Sequence, residues 1–448
     1  KACEKRPVPI EKIDALAEVL IGNGWVDMPY IRKYVHGFEK YAEYVRQFKR
    51  DNIEALTGVP FAQVEAAAAL IHENPRMSFN ESSAPLCHHR NGLQNYRAVT
   101  ALLAITGNFD RTGGQLLTPH TYMHVACGFH TREEEYLYEI KPKNCKEPIG
   151  AQRFPLWNHL EGAMQAMDLS RQILEGEPYP VKALFAMGLN ARMFPDSGAM
   201  FRALEALDFY VDTDLFLTDS AKYADLVLPA CSSFERGEFK PYPGGLAWYT
   251  SPAIQPLGQA KSDVTILTEL ANRMDLPDAM LKAGYEAFIQ KYILDDYGVT
   301  VDQLRQVKLP VPIAQPKPHR DYEVLERGLN TPTGKFELES MVIAGHPAWG
   351  LDALPTYRDP LDGADPERYP FVLTSGSRIP NALHSRLHNV PANRSLRREP
   401  TADMNRADCV RLGVEEGDLI RIETARGAVT VKVHPTLTVP QGLVNLFH

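Results

Sequence analysis

Residues 181–229 constrain the fold more tightly than any other stretch. Short apolar runs at 181–187, 209–211 and 226–228 are separated by a segment, 197–206, whose apolar positions recur at helical spacing. The runs close on Gly188 and Asn190, on Asp212, Thr213 and Asp214, and on Pro229. Strands alternating with helices read as a parallel α/β sheet, and such sheets hold ligands beyond the carboxyl ends of their strands. The residues that end these three runs are therefore the first functional candidates.

Upstream, Ile10, Ile13, Leu16, Ala17 and Leu20 share one helical face, and Gly22 and Gly24 stop it. Phe61, Val64, Ala68 and Ile71 mark a second helix, and Leu93, Tyr96, Val99, Leu102 and Leu103 a third that ends before Gly107. A strand is expected at 77–79. Residues 237–365 are rich in Pro and Gly, with helices expected at 263–274 and 284–293. In the last segment Ile420 and Ile422 alternate with Arg421 and Glu423, and Val429, Val431 and Val433 with Thr430, Lys432 and His434. A turn at Ala425, Arg426 and Gly427 joins them into a hairpin of a small barrel or sandwich.

At 448 residues the chain is long enough for several domains. A net charge of -8 without a basic stripe argues against nucleic acid as a partner. No apolar run reaches the length of a membrane span. The six cysteines are scattered without a Cys-x-x-Cys pair, so neither a cluster nor zinc is expected here, and no residue is assigned as a metal ligand. His120 and His124 are four apart but lack the Glu of a zinc helix and follow Pro119. Residue 1 is Lys and the chain stops while still reading as a strand, so a fragment is expected.

Three sets of residues carry chemistry. Asp214, just past a strand, suits the N1–H and exocyclic amine of guanine, since a carboxylate accepts both; the alternative is that it caps the next turn. Cys87, His88 and His89 are adjacent on a loop, where two neighbouring histidines rarely hold one metal together. His88 or His89 suits proton transfer, against a structural histidine satisfied by its neighbours. Thr374, Ser375, Gly376, Ser377 and Arg378 form a polar turn whose N–H groups, hydroxyls and guanidinium suit phosphate oxygens, against an ordinary β-turn.

An Asp, a Thr, the run Ala224-Asp225-Leu226-Val227-Leu228-Pro229 and then Glu235 before Arg236-Gly237 follow one another in an order that resembles the molybdopterin oxidoreductase family. These are the bis-molybdopterin guanine dinucleotide enzymes of the dimethyl sulfoxide reductase type. The resemblance implies that Gly188, Asn190, Thr213, Asp214, Arg236 and Asp263 line one dinucleotide, with Ala191 where the family's Gly-x-Asn-Pro turn has Pro. It places His88 or His89 at the metal site and pterin, and Thr374, Ser375, Gly376, Ser377, Arg378, His384 and Ser385 around pterin and phosphates, with Asn405 a further pterin contact. The implied fold is α/β: parallel dinucleotide-binding-like sheets with helices, then a C-terminal β-barrel of the double-psi type.

The expected layout is a helical remainder of an α/β domain at 1–118, a dinucleotide-binding domain at 119–236, a mixed connection at 237–365 and a truncated barrel at 366–448. The implied cofactor is bis-molybdopterin guanine dinucleotide with molybdenum or tungsten. A 4Fe-4S cluster is expected only in the missing N-terminal part, and the partner is an iron–sulfur electron-transfer subunit. Residues 115–124 lack the formate dehydrogenase pattern, and the loop at 87–97 is similar to the acetylene hydratase and catechol dehydroxylase branch. The implied activity is an anaerobic reductase or reductive dehydroxylase acting on a small molecule. Alternatives are a thiosulfate or polysulfide reductase, a formate dehydrogenase-like enzyme, or a cofactor-free electron-transfer scaffold.

Overall fold

The computed structural model describes residues 10–79, 86, 91–116, 131–140, 145–315, 319–359, 361, 363–377, 382, 386–387, 390–396 and 399–447. The chain folds as two compact units, residues 1–117 with 320–448, and residues 118–319.

The first unit begins with helices α1 (Ile10–Gly22), α2 (Met28–Tyr34), α3 (Phe38–Val45), α4 (Phe61–Glu73) and α5 (Gly92–Ile105). The apolar spacing read from the sequence places Ile10, Ile13, Ala17 and Leu20 in one core with Val64, Ala68, Val99 and Leu102. Helix α2 starts where Asp27 Oδ1 accepts the Tyr30 N–H at 3.0 Å. Leu102, Leu103 and Ile105 are fully buried. Each contributes roughly 1.5–3 kcal/mol by leaving water. The strand expected at 77–79 is irregular instead, because the Met77 N–H donates to the Asn108 side chain at 3.1 Å rather than to a strand partner. Val35–His36 pairs in parallel with Phe336–Glu337, tying the returning chain to this helical core.

In the second unit β1 (Ala183–Met187), β2 (Phe209–Asp214) and β3 (Leu226–Pro229) form a parallel sheet in that order. Helices α6 (Leu169–Glu175) and α7 (Ser197–Ala206) supply Leu169, Ile173, Met200, Ala203 and Leu204 to a core that holds Ala186 and Tyr210 of the sheet. Asp196 starts α7 by accepting the Ala199 N–H at 2.8 Å. An antiparallel hairpin, β4 (Glu238–Tyr242) and β5 (Leu246–Thr250), pairs onward with Val311–Pro312. Helix α8 (Asp263–Arg273) follows. The helix expected at 284–293 is α-helical over Tyr285–Ile289 and widens into a π-turn over Gln290–Leu294.

The C-terminal part of the first unit is a curled, mixed five-stranded sheet: β6 (Val372–Ser377), β7 (Thr401–Asn405), β8 (Leu419–Thr424), β9 (Gly427–Thr436) and β10 (Leu443–Phe447). Its order is β8-β9-β7-β10-β6, with β7 parallel to β9 and β6 parallel to β10. Thr424 pairs with Gly427, so the loop of the expected hairpin is Ala425-Arg426. Ala402, Met404, Cys409, Val433 and Val444 form the core of this sheet.

Candidate cofactor-binding site

The candidates of the second unit gather at the carboxyl edge of the parallel sheet. Gly188 leaves β1 at φ 65° and its N–H donates to Thr213 O at 2.8 Å, which turns the chain over the end of β2. An added Cβ would meet nothing within 4 Å, so the positive φ alone favours glycine there. Asn190 Oδ1 accepts the Arg192 N–H at 3.1 Å, and the Ala191 N–H donates to Ser220 Oγ at 2.9 Å. Asp214 is half-buried, and its Oδ1 accepts the Phe216 N–H at 3.2 Å. Both the turn-capping role and a ligand are compatible with that carboxylate, since each oxygen has two lone pairs.

The edge continues through the backbone. Ala230 N–H donates to Asp214 O at 3.1 Å, Lys261 N–H to Pro229 O at 3.1 Å and Cys231 N–H to Lys261 O at 2.9 Å. This laces residues 261–263 to the end of β3. Arg236 Nη1 lies 3.6 Å from Asp263 Oδ2, and its Nε and Nη2 reach Glu238 Oε1 at 2.7 and 2.6 Å. Burial pushes the Glu238 carboxyl up, but Lys240 and Arg236 beside it prevail and hold it below the usual range. Glu235 braces the loop before Arg236, accepting the Ser232 and Leu257 N–H groups, both at 2.7 Å. Those N–H bonds, Ser232 first, hold its carboxyl low. Asp225 accepts the Tyr210 N–H at 2.7 Å, a structural role.

Two side chains here stand out by what they lack. Thr213 Oγ1 is buried without a hydrogen-bond partner among the described residues, and neither oxygen of fully buried Asp212 makes a well-aligned one. Buried polar groups in native proteins are satisfied, so such orphans point to a ligand, a water or a proton. The open Gly188 turn, the half-exposed Asp214 carboxylate and the orphaned Thr213 hydroxyl together fit the base and sugar end of a guanine dinucleotide.

In the C-terminal sheet Thr374 Oγ1 donates to Asn445 Oδ1 at 3.2 Å, and Ser375 is exposed. Gly376 and Ser377 complete β6. Asn405 is engaged by the fold: its Oδ1 accepts the Ala407 N–H at 2.9 Å, starting the helix Arg406–Leu412, and its Nδ2 donates to Val439 O at 2.8 Å. His88, His89, Arg378, His384 and Ser385 lie outside the described residues.

The polar residues that follow His89 have a role the sequence does not announce. Gln94 Nε2 donates to Asp352 O at 3.0 Å and Asn95 Nδ2 to Leu86 O at 2.9 Å. Arg97, half-buried, donates to the carbonyls of Leu338, Asp352 and Ala353 at 3.0, 3.3 and 2.5 Å. These are clamps on the backbone. The sequence names neither Glu235 nor Glu238 as a site residue; Glu235 carries a signal in its place before Arg236-Gly237, and Asp212 is a candidate there only as the end of an apolar run.

Residues 77–273 match the molybdopterin oxidoreductase family and residues 371–448 the molydopterin dinucleotide binding domain. The chain is 28% identical over 437 residues to a probable oxidoreductase, YoaE, of Bacillus subtilis, covering 96% of this chain and 60% of that protein. It is 27% identical to the acetylene hydratase of Syntrophotalea acetylenica, covering 97% and 62%, and 26% identical to the dopamine dehydroxylase of Eggerthella lenta, covering 92% and 48%. The chain thus spans less than two thirds of the length of these relatives. The solved structure of acetylene hydratase from Pelobacter acetylenicus superposes with a TM-score of 0.83 at 24% identity, covering 98% of this chain and 63% of that one, which shows a shared fold. Residues 77–273 thus carry a molybdopterin oxidoreductase domain and residues 371–448 a molydopterin dinucleotide binding domain.

Proposed function

We propose that this chain forms most of the catalytic subunit of a molybdenum or tungsten bis-pterin enzyme, a reductase or reductive dehydroxylase acting on a small molecule. The observation that carries the reading is the carboxyl edge of the parallel sheet, where Gly188, Asn190, Thr213 and Asp214 converge and the backbone laces Asp263 and Arg236 alongside. When bound, the metal–pterin group supplies two-electron redox chemistry, while the protein supplies binding, orientation and electrostatics.

The Asp214 carboxylate accepts the guanine N1–H and amine, and Thr213 Oγ1 gains the partner it lacks. Glu238 holds the Arg236 guanidinium in place on one side while Asp263 faces it on the other. Thr374, Ser375, Gly376 and Ser377 of the C-terminal sheet would hold pterin and phosphates, and the family pattern adds Arg378, His384 and Ser385 to them. His88 or His89 moves a proton at the substrate. An iron–sulfur partner and a 4Fe-4S cluster would supply the electrons. Among relatives, the names acetylene hydratase and dopamine dehydroxylase favour an unsaturated or aromatic small molecule over formate.

The test is elemental analysis with guanine release on full-length protein purified without oxygen. About one molybdenum or tungsten and two guanine nucleotides per chain are expected. A folded, cluster-loaded protein with neither would overturn the reading in favour of an electron-transfer scaffold.

A further inference from the structure

We propose that Ser220 is a positioning residue for the nucleotide edge: its buried hydroxyl accepts the Ala191 N–H and ties the loop that follows Asp214 to the turn that carries Asn190. The inference rests on the reading of that edge as a guanine dinucleotide site.

Two segments must stay in register for Asn190 and Asp214 to face one ligand. The first leaves β1 and runs from Gly188 through Asn190 into the 3-10 helix Ala191–Met193. The second leaves β2 at Asp214, passes through exposed Leu215, Phe216 and Leu217 and folds into the 3-10 helix Ala221–Tyr223. Gly188 is tied to the end of β2 by its N–H bond to Thr213 O at 2.8 Å. Beyond that point the side chains of Asp219 and Ser220 join the two segments. Ser220 Oγ accepts the Ala191 N–H at 2.9 Å, and Asp219 Oδ2 accepts Arg192 Nε and Nη2 at 2.9 and 2.6 Å. The Asp219–Arg192 pair is largely exposed, and such pairs contribute little. Ala191 and Ser220 are both buried, so loss of the hydroxyl leaves a buried N–H without its acceptor.

The backbone shows what this bond does. Asn190 is extended, at φ -114° and ψ 94°, and Ala191 opens the 3-10 helix. An extended residue followed by the first residue of a helical turn is a setting that suits proline, whose ring fixes φ. Ala191 stands there instead and has no ring to fix the turn. It brings an N–H that proline lacks, and Ser220 takes it. The hydrogen bond thus supplies the restraint that a ring would supply. Without it the turn samples further conformations, and a ligand binds only the fraction that presents Asn190 in place.

The experiment measures guanosine diphosphate affinity by calorimetry on the full-length protein, Ser220→Ala, Ala191→Pro and the double variant, with hydrogen exchange of the Ala191 amide where it is present. Ser220→Ala should bind about five- to tenfold more weakly than wild type and exchange the Ala191 amide faster. Ala191→Pro and the double variant should both bind within about twofold of wild type, because the ring replaces the bond and leaves no N–H to orphan. A hydroxyl that only stabilised the fold would not be rescued in this way. Wild-type affinity in Ser220→Ala, or the same loss from Ser220→Ala in both backgrounds, would overturn the proposal and leave the nucleotide reading standing. Should Ser220→Ala fail to fold, the double variant decides, and an affinity about tenfold below that of Ala191→Pro would overturn the proposal. Absence of binding in every protein, wild type included, would overturn the nucleotide reading and the proposal together.

Discussion

Asn91 and Arg358 exchange two hydrogen bonds across 267 residues of sequence: Asn91 Nδ2 donates to Arg358 O at 2.6 Å, and the Arg358 N–H donates to Asn91 Oδ1 at 3.1 Å. The side-chain amide offers a donor and an acceptor side by side, as a neighbouring strand would. It thereby fastens the 352–359 segment to the start of α5. Asn91→Ala leaves both backbone groups without that partner, and a loss of about 2–3 kcal/mol is expected. A drop in Tm read by circular dichroism checks this; an unchanged Tm would show that water replaces the amide at no cost.

Arg97 clamps the same segment from the middle of the helix. Its guanidinium reaches three carbonyls and Gln94 Oε1, the last at 2.9 Å. A lysine ammonium is a single point with three donors and cannot span carbonyls at the angles a planar fork reaches. Arg97→Lys should therefore cost about 2–3 kcal/mol although it keeps the charge. The midpoint of urea unfolding reads the loss, and a wild-type midpoint would mean that charge, not fork geometry, holds the segment.

Asp14 sits in the helical core with its carboxyl bonded to the hydroxyls of Tyr41 at 3.2 Å and Tyr44 at 3.1 Å. Burial pushes its pKa well above the usual range; the two hydroxyls pull the other way and do not win, and Glu11 adds to the rise. The folded state therefore binds this proton more tightly than the unfolded state does. The stability contributed is fully present below the unfolded pKa, near 4, and is lost as pH rises through the folded value. Asp14→Asn, which keeps an acceptor and never ionises, should match the wild type below about pH 4 and exceed it at neutral pH. Tm measured from pH 4 to 8 for both proteins decides it, and parallel curves would show that Asp14 is ionised throughout.

Much of this architecture is legible in the residues because its signals are local. The helix Ser197–Ala206, the three parallel strands and the Ala425-Arg426 hairpin follow from spacing, caps and turns only a few residues long. What escapes the sequence depends on distant partners. Asn91 and Arg97 sit in a motif that reads as an active-site loop, yet the carbonyls they hold lie about 250 residues away. Asp14 looks solvent-facing beside Ile13, but α3 brings Tyr41 and Tyr44 onto it. Asp212 interrupts an apolar strand, and only the sheet shows that no water reaches it. Met77 and Phe79 have the composition of a strand, and a single side chain, Asn108, takes the N–H that would begin one.

Asp214 separates the cofactor reading from a structural one. Its fold role is one turn-capping bond at 3.2 Å on a half-exposed strand end, which an asparagine oxygen can reproduce. Its proposed ligand role needs two acceptors side by side for the guanine N1–H and amine. Asparagine offers one acceptor and one donor group, so a donor would face a donor. Asp214→Asn should therefore leave stability within about 0.5 kcal/mol of wild type. It should also lower guanosine diphosphate affinity by about 10- to 100-fold, the loss of a charge-assisted bidentate pair. Guanine released by acid from the purified variant should fall in step. A variant that keeps both its stability and its full guanine content would place recognition of the base on other residues.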